Sequence, residues 1–163
     1  MYGQRYSSHD AIIQQYVKGK SVVDLGCGNG EWLPILREFG AAEVLGIDKD
    51  LPKGFRDTAL RIDYASTVID SPFVAVLFYP PNYRITGLIP LLEQTEVIIY
   101  RGCNTDGITA CGGPDVLRHF LWRELLEYQE EERTNLLVLG RKLRLPRVNL
   151  TREEAEWMAQ WET

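Results

Sequence analysis

Cysteine and histidine are scarce in this sequence, which also has no net positive charge and no long apolar run. Its 163 residues include three cysteines and two histidines, and the formal net charge is -5. An odd number of widely spaced cysteines does not suit a disulfide framework, so we expect reduced thiols and a cytoplasmic location. The cysteines and histidines also lack the close spacing of metal ligands, and no metal site is predicted.

The charge and the apolar runs disfavour two further classes of protein. A broad nucleic-acid surface is basic, so a net charge of -5 makes a nucleic-acid partner the less favoured prediction. No apolar run reaches the length of a membrane span, and the polar opening MYGQRYSSHD lacks the apolar part of a signal peptide. A hydrophobic share of 45% is that of a globular protein, and we expect one domain over residues 1–163.

What the chain does contain is a glycine-rich turn directly after a short apolar segment. Residues 21–25 are rich in valine, as is typical of a buried parallel strand, and apolar residues recur at helical spacing over 31–39. Between them lie Gly26, Cys27, Gly28, Asn29 and Gly30. A strand, a glycine turn and a helix in this order indicate the place where an α/β sheet binds a nucleotide-like ligand.

The rest of the chain alternates predicted strands and helices. Strands are predicted over 43–47, 59–62, 72–79 and 96–100, and helices over 10–17, 84–94 and 116–131, the first with Ser7 or Ser8 as N-cap. A pair of strands over 135–148 is predicted to turn at Gly140-Arg141, and a capping box at Thr151 opens a last helix. The alternation implies a mostly parallel sheet with right-handed crossovers.

The segment from Asp24 to Gly30 resembles the D/E-x-G-x-G-x-G motif of the class I S-adenosylmethionine-dependent methyltransferases. The resemblance covers nearly the whole chain in outline and is specific mainly over residues 21–64. It implies an α/β fold, a Rossmann-like three-layer sandwich with a mostly parallel seven-stranded sheet and a C-terminal antiparallel hairpin. It also implies an enzyme that transfers a methyl group from S-adenosylmethionine.

The resemblance places the donor at the ends of the first three predicted strands. The glycine loop and Asp24 would hold the methionine end, and Asp48 would accept from both ribose hydroxyls, because a carboxylate has two acceptor oxygens. Lys49 stands where the family often has an apolar residue, which leaves its alkyl stem or Leu51 to pack on the adenine. The predicted cofactor-binding residues are Asp24, Gly26, Cys27, Gly28, Gly30, Asp48, Lys49, Asp63 and Tyr64. The glycines are also explained by a tight turn, and Asp48 and Asp63 by a polar loop position or a helix cap.

The acceptor is predicted above the fourth strand. Tyr79-Pro80-Pro81-Asn82 partly matches the D/N/S-P-P-Y/F/W motif of family members that methylate amino groups on nucleic-acid bases, although the two prolines also serve to end a strand. The long loop over 101–115 would cover the same edge of the sheet. The predicted catalytic residues are Tyr79, Asn82 and Asp106, acting mainly by positioning, since no histidine or lysine is placed as a base.

Three functions stay open on the sequence. The leading one is methyl transfer to a small molecule or a modest protein site. The alternative is a non-enzymatic methyltransferase-like domain that binds the donor or a partner without transfer, in keeping with the short chain and the lack of an obvious base. A nucleic-acid-modifying enzyme is the third. The aromatic N-terminal segment is expected either to fold over the donor or to remain a tail, and Trp157 and Trp161 to pack on the domain or form a homodimer contact.

Overall fold

The computed structural model describes residues 4–48, 59–61, 69, 72–80, 91–103, 123–132 and 134–141. The helices are α1 (Ser7–Val17) and α2 (Trp32–Glu38). The strands are β1 (Ser21–Leu25), β2 (Glu43–Asp48), β3 (Ala59–Arg61), β4 (Val74–Phe78), β5 (Val97–Cys103), β6 (Arg123–Glu131) and β7 (Thr134–Arg141). Within these ranges, no helix is both long and apolar enough to cross a membrane.

The strands form one mixed sheet in the order β3-β2-β1-β4-β5-β7-β6. The pairs from β3 to β5 are parallel, and β7 runs antiparallel to both of its neighbours. This arrangement confirms the predicted α/β class. The order reverses between β1 and β4, and open α/β sheets bind their ligands at such a switch point, outside the carboxyl ends of the strands.

Apolar side chains fill both faces of the central strands. Side chains alternate along a strand, so Val22 packs into one core while Val23 and Leu25 pack into the other. The first core also contains Ile13 of α1 and Leu33 of α2. Burial on both faces explains why β4 is wholly apolar in sequence, and why β1 is apolar apart from Ser21 and Asp24.

The predicted boundaries hold best in the first half of the chain. β1 begins and ends as predicted, and β2, β4 and α2 differ from the predictions by one or two residues. The predicted N-cap of α1 is wrong: Ser7 and Ser8 lie inside the helix, and Tyr6 occupies the cap with no side-chain hydrogen bond. Ser8 instead donates its hydroxyl hydrogen to the Glu131 carboxylate on β6, so the hydroxyl serves a tertiary contact.

Three predictions in the second half are wrong, and two of them concern where a strand lies or ends. Residues 123–131 form β6 rather than the end of a helix over 116–131. The helical spacing came from Leu125 and Tyr128, which remain 55% and 49% exposed, and a β-bulge between 125 and 127 disturbs the strand period of two. The predicted loop from Arg101 also starts too early, because β5 continues to Cys103 in register with β7.

The predicted turn at Gly140-Arg141 is also wrong, because both residues belong to β7, paired with Val97 and Arg123 on the neighbouring strands. Gly140 has a packing role instead: a Cβ there would lie 2.9 Å from Leu126 Cδ1 on β6. The antiparallel β6–β7 pair therefore lies earlier in the chain than the predicted hairpin. The predictions for residues 84–90, 104–122 and 142–163 fall outside the described residues.

Candidate functional site

The glycine loop joins β1 to α2 in a conformation that glycine adopts without strain. Gly26, Gly28 and Gly30 have φ angles of 79°, 54° and 73°, in the left-handed region. A Cβ added at Gly26 or Gly28 would meet no atom within 4 Å. The glycines are therefore explained by the backbone turn, and their Cα atoms face open space in which a ligand can approach the main chain.

The end of β2 fixes the loop in place. The Ile47 carbonyl accepts hydrogen bonds from the amides of Gly26 at 2.7 Å and Cys27 at 3.2 Å. The Gly28 amide donates to Asp48 Oδ2 at 2.9 Å. Asp48 therefore has a structural task that the sequence did not reveal, in addition to its predicted role toward a ribose. Its position at the carboxyl end of β2, beside the loop, agrees with the prediction.

Asp24 is a buried carboxyl group at the end of β1. Its side chain is 3% exposed, and burial raises its pKa to about 7, with the nearby charge of Asp48 as the second cause. The group is therefore divided between its neutral and ionised forms near neutral pH. A cation entering beside it would favour the ionised form and displace the proton.

A cavity of about 310 Å³ opens over the carboxyl ends of β1 and β4. It is lined by Asp24, Gly26, Cys27, Gly28, Asn29, Glu31, Trp32, Phe78 and Tyr79. A larger cavity, of about 440 Å³, lies around the amino ends of β1 and β2, between Ser21 and Phe73. The smaller cavity is the candidate site, because it alone of the two adjoins the glycine loop and the switch point.

Aromatic rings form one wall of this cavity. The Trp32 and Phe78 rings meet edge to face with centroids 4.6 Å apart. Tyr79 follows with a φ of 49°, which is rare for an aromatic residue, and its amide donates to the Arg101 carbonyl at 2.6 Å. The Tyr79 hydroxyl lies 3.3 Å from Thr134 Oγ1 on β7, so Tyr79 lines the cavity with its ring while its hydroxyl is engaged elsewhere.

Arg101 lies behind this wall, and the sequence analysis missed it by assigning it to a loop. Its side chain is fully buried, and its guanidinium carbon lies 5.4 Å from the Trp32 ring centroid, 5.5 Å from that of Tyr79 and 5.6 Å from that of Tyr6. Nη2 donates to the Gln4 carbonyl. Burial lowers the pKa of Arg101. An arginine at the end of an apolar strand was the only signal in the sequence that pointed to it.

The remaining predicted site residues lie outside the described part of the chain. They are Lys49, Asp63 and Tyr64 on the donor side, and Asn82 and Asp106 on the acceptor side. Of the residues that were predicted, the structure thus brings together the Asp24–Gly30 segment, Asp48 and Tyr79. Among the described residues, no three acidic, histidine or cysteine side chains are grouped so that they could hold a metal ion.

Comparison with curated sequences gives one short similarity. No protein-family model matches the chain. The chain is 51% identical over 39 residues to the ribosomal RNA large subunit methyltransferase E of Hyphomonas neptunium. The matched segment is 24% of this chain and covers 17% of the length of that relative.

Comparison with solved structures supports the fold over most of the chain. The ribosomal protein L11 methylase of Lactobacillus delbrueckii subsp. bulgaricus superposes with a TM-score of 0.61 at 17% identity, over 83% of this chain and 78% of that one. The 1,6-didemethyltoxoflavin-N1-methyltransferase of Burkholderia thailandensis, solved with 1,6-didemethyltoxoflavin and S-adenosylhomocysteine, gives 0.63 at 12% identity, over 83% and 77%. The 23S rRNA methyltransferase ErmE gives 0.59 at 14% identity, over 97% and 76%. The chain therefore has the Rossmann-like fold of the class I S-adenosylmethionine-dependent methyltransferases, which confirms the resemblance at the level of fold.

Proposed function

We propose that this protein is an S-adenosylmethionine-dependent methyltransferase. The observation that carries the proposal is the cavity at the switch point. Gly26 and Gly28 line it with backbone that no other atom covers, and Asp24 lies at its edge. The loop, the buried acid and the second acid at the end of β2 occupy the positions that the motif resemblance assigns to the donor. The shared fold with methyltransferases, one of them solved with S-adenosylhomocysteine, supports the same assignment.

The donor would lie along the loop with its ammonium group toward Asp24. An ammonium is a cation with three hydrogen-bond donors, and the largely buried carboxyl of Asp24 would pair with it in ionised form. Asp48 would accept from the ribose hydroxyls. Its hydrogen bond from Gly28 does not prevent this, since a carboxylate can accept about four hydrogen bonds. Lys49, Asp63 and Tyr64 remain the proposed contacts to the adenosine.

The reactive sulfonium would then face the aromatic wall. Aromatic faces attract cations, so the rings of Trp32, Phe78 and Tyr79 suit a positively charged sulfur better than a neutral one. Methyl transfer is an in-line displacement in which the acceptor attacks the methyl carbon and the sulfur leaves as a neutral thioether. The protein's contribution would be to align the acceptor, with Tyr79, Asn82 and Asp106 as the proposed acceptor-site residues.

We favour a small-molecule acceptor. The wall that would face the acceptor is made of aromatic rings, which suit a small organic molecule. The net charge of -5 does not favour nucleic acid. The similar structures include enzymes named for a small molecule and for ribosomal RNA, so they support methyl transfer without choosing the acceptor.

A donor-binding domain without transfer is the second candidate. The specific observation in its favour is that the Tyr79 hydroxyl is engaged with Thr134, which leaves this predicted catalytic residue only its ring to offer an acceptor. Such a domain would bind S-adenosylmethionine and its product equally and release no S-adenosylhomocysteine in the presence of any acceptor.

The test has two stages. Calorimetry with S-adenosylhomocysteine should show one site per chain, and Asp48→Ala should weaken binding by about 1.5–3 kcal/mol, the scale of hydrogen bonds to a charged group. Methyl-labelled donor is then incubated with panels of small molecules, with peptides and with total RNA. Label in a small molecule supports the proposal, and label in RNA alone contradicts the favoured acceptor class. Absence of donor binding at millimolar ligand contradicts the proposed function itself.

A further inference from the structure

Arg101 presents a charge that its surroundings do not neutralise. Its guanidinium is permanently protonated, and the side chain is fully buried. Buried charges in proteins are normally paired with an opposite charge. Asp10, the acid whose charge acts on Arg101, already forms a 2.7 Å ion pair with Arg5. Among the described residues, Arg101 Nε and Nη1 have no hydrogen-bond partner at all, and Nη2 has only the Gln4 carbonyl.

The aromatic rings around Arg101 compensate for only part of this cost. Trp32, Tyr79 and Tyr6 all lie within about 6 Å of the guanidinium carbon, where their faces attract a cation. Ring faces, however, offer no lone pair to the Nε and Nη1 hydrogens. What the site lacks is a hydrogen-bonding anion, and a guanidinium is the group in proteins that best fits a carboxylate.

The position of Arg101 relates this missing anion to the candidate active site. Trp32 and Tyr79 line the cavity, and the guanidinium carbon of Arg101, which does not line it, lies 5.4 and 5.5 Å from their ring centroids; the charge therefore lies behind the cavity wall. The acidic groups of the cavity, Asp24 and Glu31, belong to β1 and to the start of α2, on the donor side. The cavity is therefore acidic where the donor's ammonium would lie and basic behind the wall that would face the acceptor.

We infer that Arg101 is the anion-recognition residue of the acceptor site, and that the methyl acceptor is a small organic acid whose carboxylate pairs with the unpartnered guanidinium donors. The inference rests on the proposed methyl-transfer function and specifies its substrate class. A polymer phosphate is the wrong partner, because a fully buried guanidinium enclosed by rings is accessible only to a small group. Trp32 and Tyr79 are the two rings that both line the cavity and lie against the guanidinium, so the carboxylate would reach Arg101 between them.

The test compares benzoate with its neutral isostere, benzamide, on protein saturated with S-adenosylhomocysteine. Calorimetry should show that benzoate binds at least about tenfold more tightly than benzamide, the effect of one hydrogen-bonded charge pair. Arg101→Gln should abolish the preference while leaving affinity for S-adenosylhomocysteine within about twofold, since Arg101 does not line the donor side. Arg37→Gln removes an exposed arginine of α2 remote from the cavity, and this matched control should keep the full preference.

Each outcome assigns failure to one claim. If S-adenosylhomocysteine does not bind the wild-type protein, the proposed function is wrong. If it binds and benzoate shows no advantage over benzamide, only the role of Arg101 is wrong, and the same holds if Arg101→Gln keeps the preference. Should Arg101→Gln fail to fold, Arg101→Lys retains the charge but not the planar fork, and it should keep part of the preference. A 20-nucleotide RNA that displaces benzoate and binds more tightly would overturn the assignment to a small acid.

Discussion

Asp24→Asn should stabilise the unliganded protein against unfolding and weaken its affinity for the donor. The wild-type carboxyl has a pKa of about 7 in the folded chain, raised by burial and by the charge of Asp48, against 3.8 for an unperturbed aspartic acid. The folded protein therefore holds a proton that the unfolded chain releases between about pH 4 and pH 7. Its stability is highest below that range and falls as the pH rises through it.

The magnitude follows from the size of the shift. The pKa of Asp24 rises from 3.8 in the unfolded chain to about 7 in the folded one. Because of this one group, the free energy of unfolding falls by up to about 4 kcal/mol between pH 4 and pH 7. Asparagine keeps the shape of the protonated acid and cannot ionise. Asp24→Asn should therefore match the wild type near pH 4 and exceed it by up to that amount near pH 8, as measured by urea denaturation without ligand.

Asp24→Asn should have the opposite effect on donor binding, which it should weaken. The ammonium of S-adenosylhomocysteine stabilises ionised Asp24, so binding expels the proton: about half a proton at pH 7 and nearly one at pH 6. Calorimetry in phosphate and in imidazole, which both buffer at pH 6–7 and differ in ionisation enthalpy, measures this release directly. Asp24→Asn should release none and bind about tenfold or more weakly. Equal pH profiles of stability for the two proteins, or binding without proton release at pH 6, would refute the reasoning.

The other predictions concern the loop and the wall. Gly28→Ala should lower the free energy of unfolding by about 1–2 kcal/mol because of the φ of 54° at this position, although the added methyl meets no atom within 4 Å. Gly28→Val should in addition block the donor. Thermal melts with and without S-adenosylhomocysteine separate the two effects. Asp48→Asn keeps an oxygen for the Gly28 amide but loses the charge, so its donor affinity should lie between those of the wild type and Asp48→Ala in the same titration. Tyr79→Phe should lower stability by about 0.5–1.5 kcal/mol through the lost Thr134 contact and leave donor affinity unchanged; a weaker donor complex would show that the hydroxyl faces the donor.

The first half of the fold could be predicted because its signals are local and mutually consistent. β1 is a short apolar run, the glycines follow at once, and α2 shows helical spacing against the sheet. The left-handed φ angles of Gly26 and Gly28 require glycine, so the backbone turn is visible in the sequence itself.

In the second half, the strands β5 and β7 could be predicted, but β6 and the pairing of β7 could not, because the contacts that decide them are distant in sequence. β6 exposes Leu125 and Tyr128, and its bulge breaks the alternation by which strands are recognised. Gly140 indicated a turn, yet it is in a strand because Leu126 occupies the space of its missing Cβ. No local pattern reports that kind of pairing.

The same limit applies to the site. The places of Asp24 and Asp48 at strand ends could be predicted, whereas the hydrogen bond from the Gly28 amide to Asp48 depends on two strands lying side by side. Arg101 lies 95 residues after Tyr6 and 69 residues after Trp32 along the chain. Only the folded structure therefore shows that these two rings lie against the guanidinium. Spacing in the sequence carries no information about such a cluster.

A crystal structure of the protein grown with S-adenosylhomocysteine tests the central claim most directly. We expect the ligand in the cavity over β1 and β4, with its ammonium group within hydrogen-bond distance of Asp24, its chain against Gly26 and Gly28, and its sulfur toward Trp32 and Tyr79. A ligand bound in the other cavity, between Ser21 and Phe73, or a glycine loop in contact with no part of the ligand, would contradict the account.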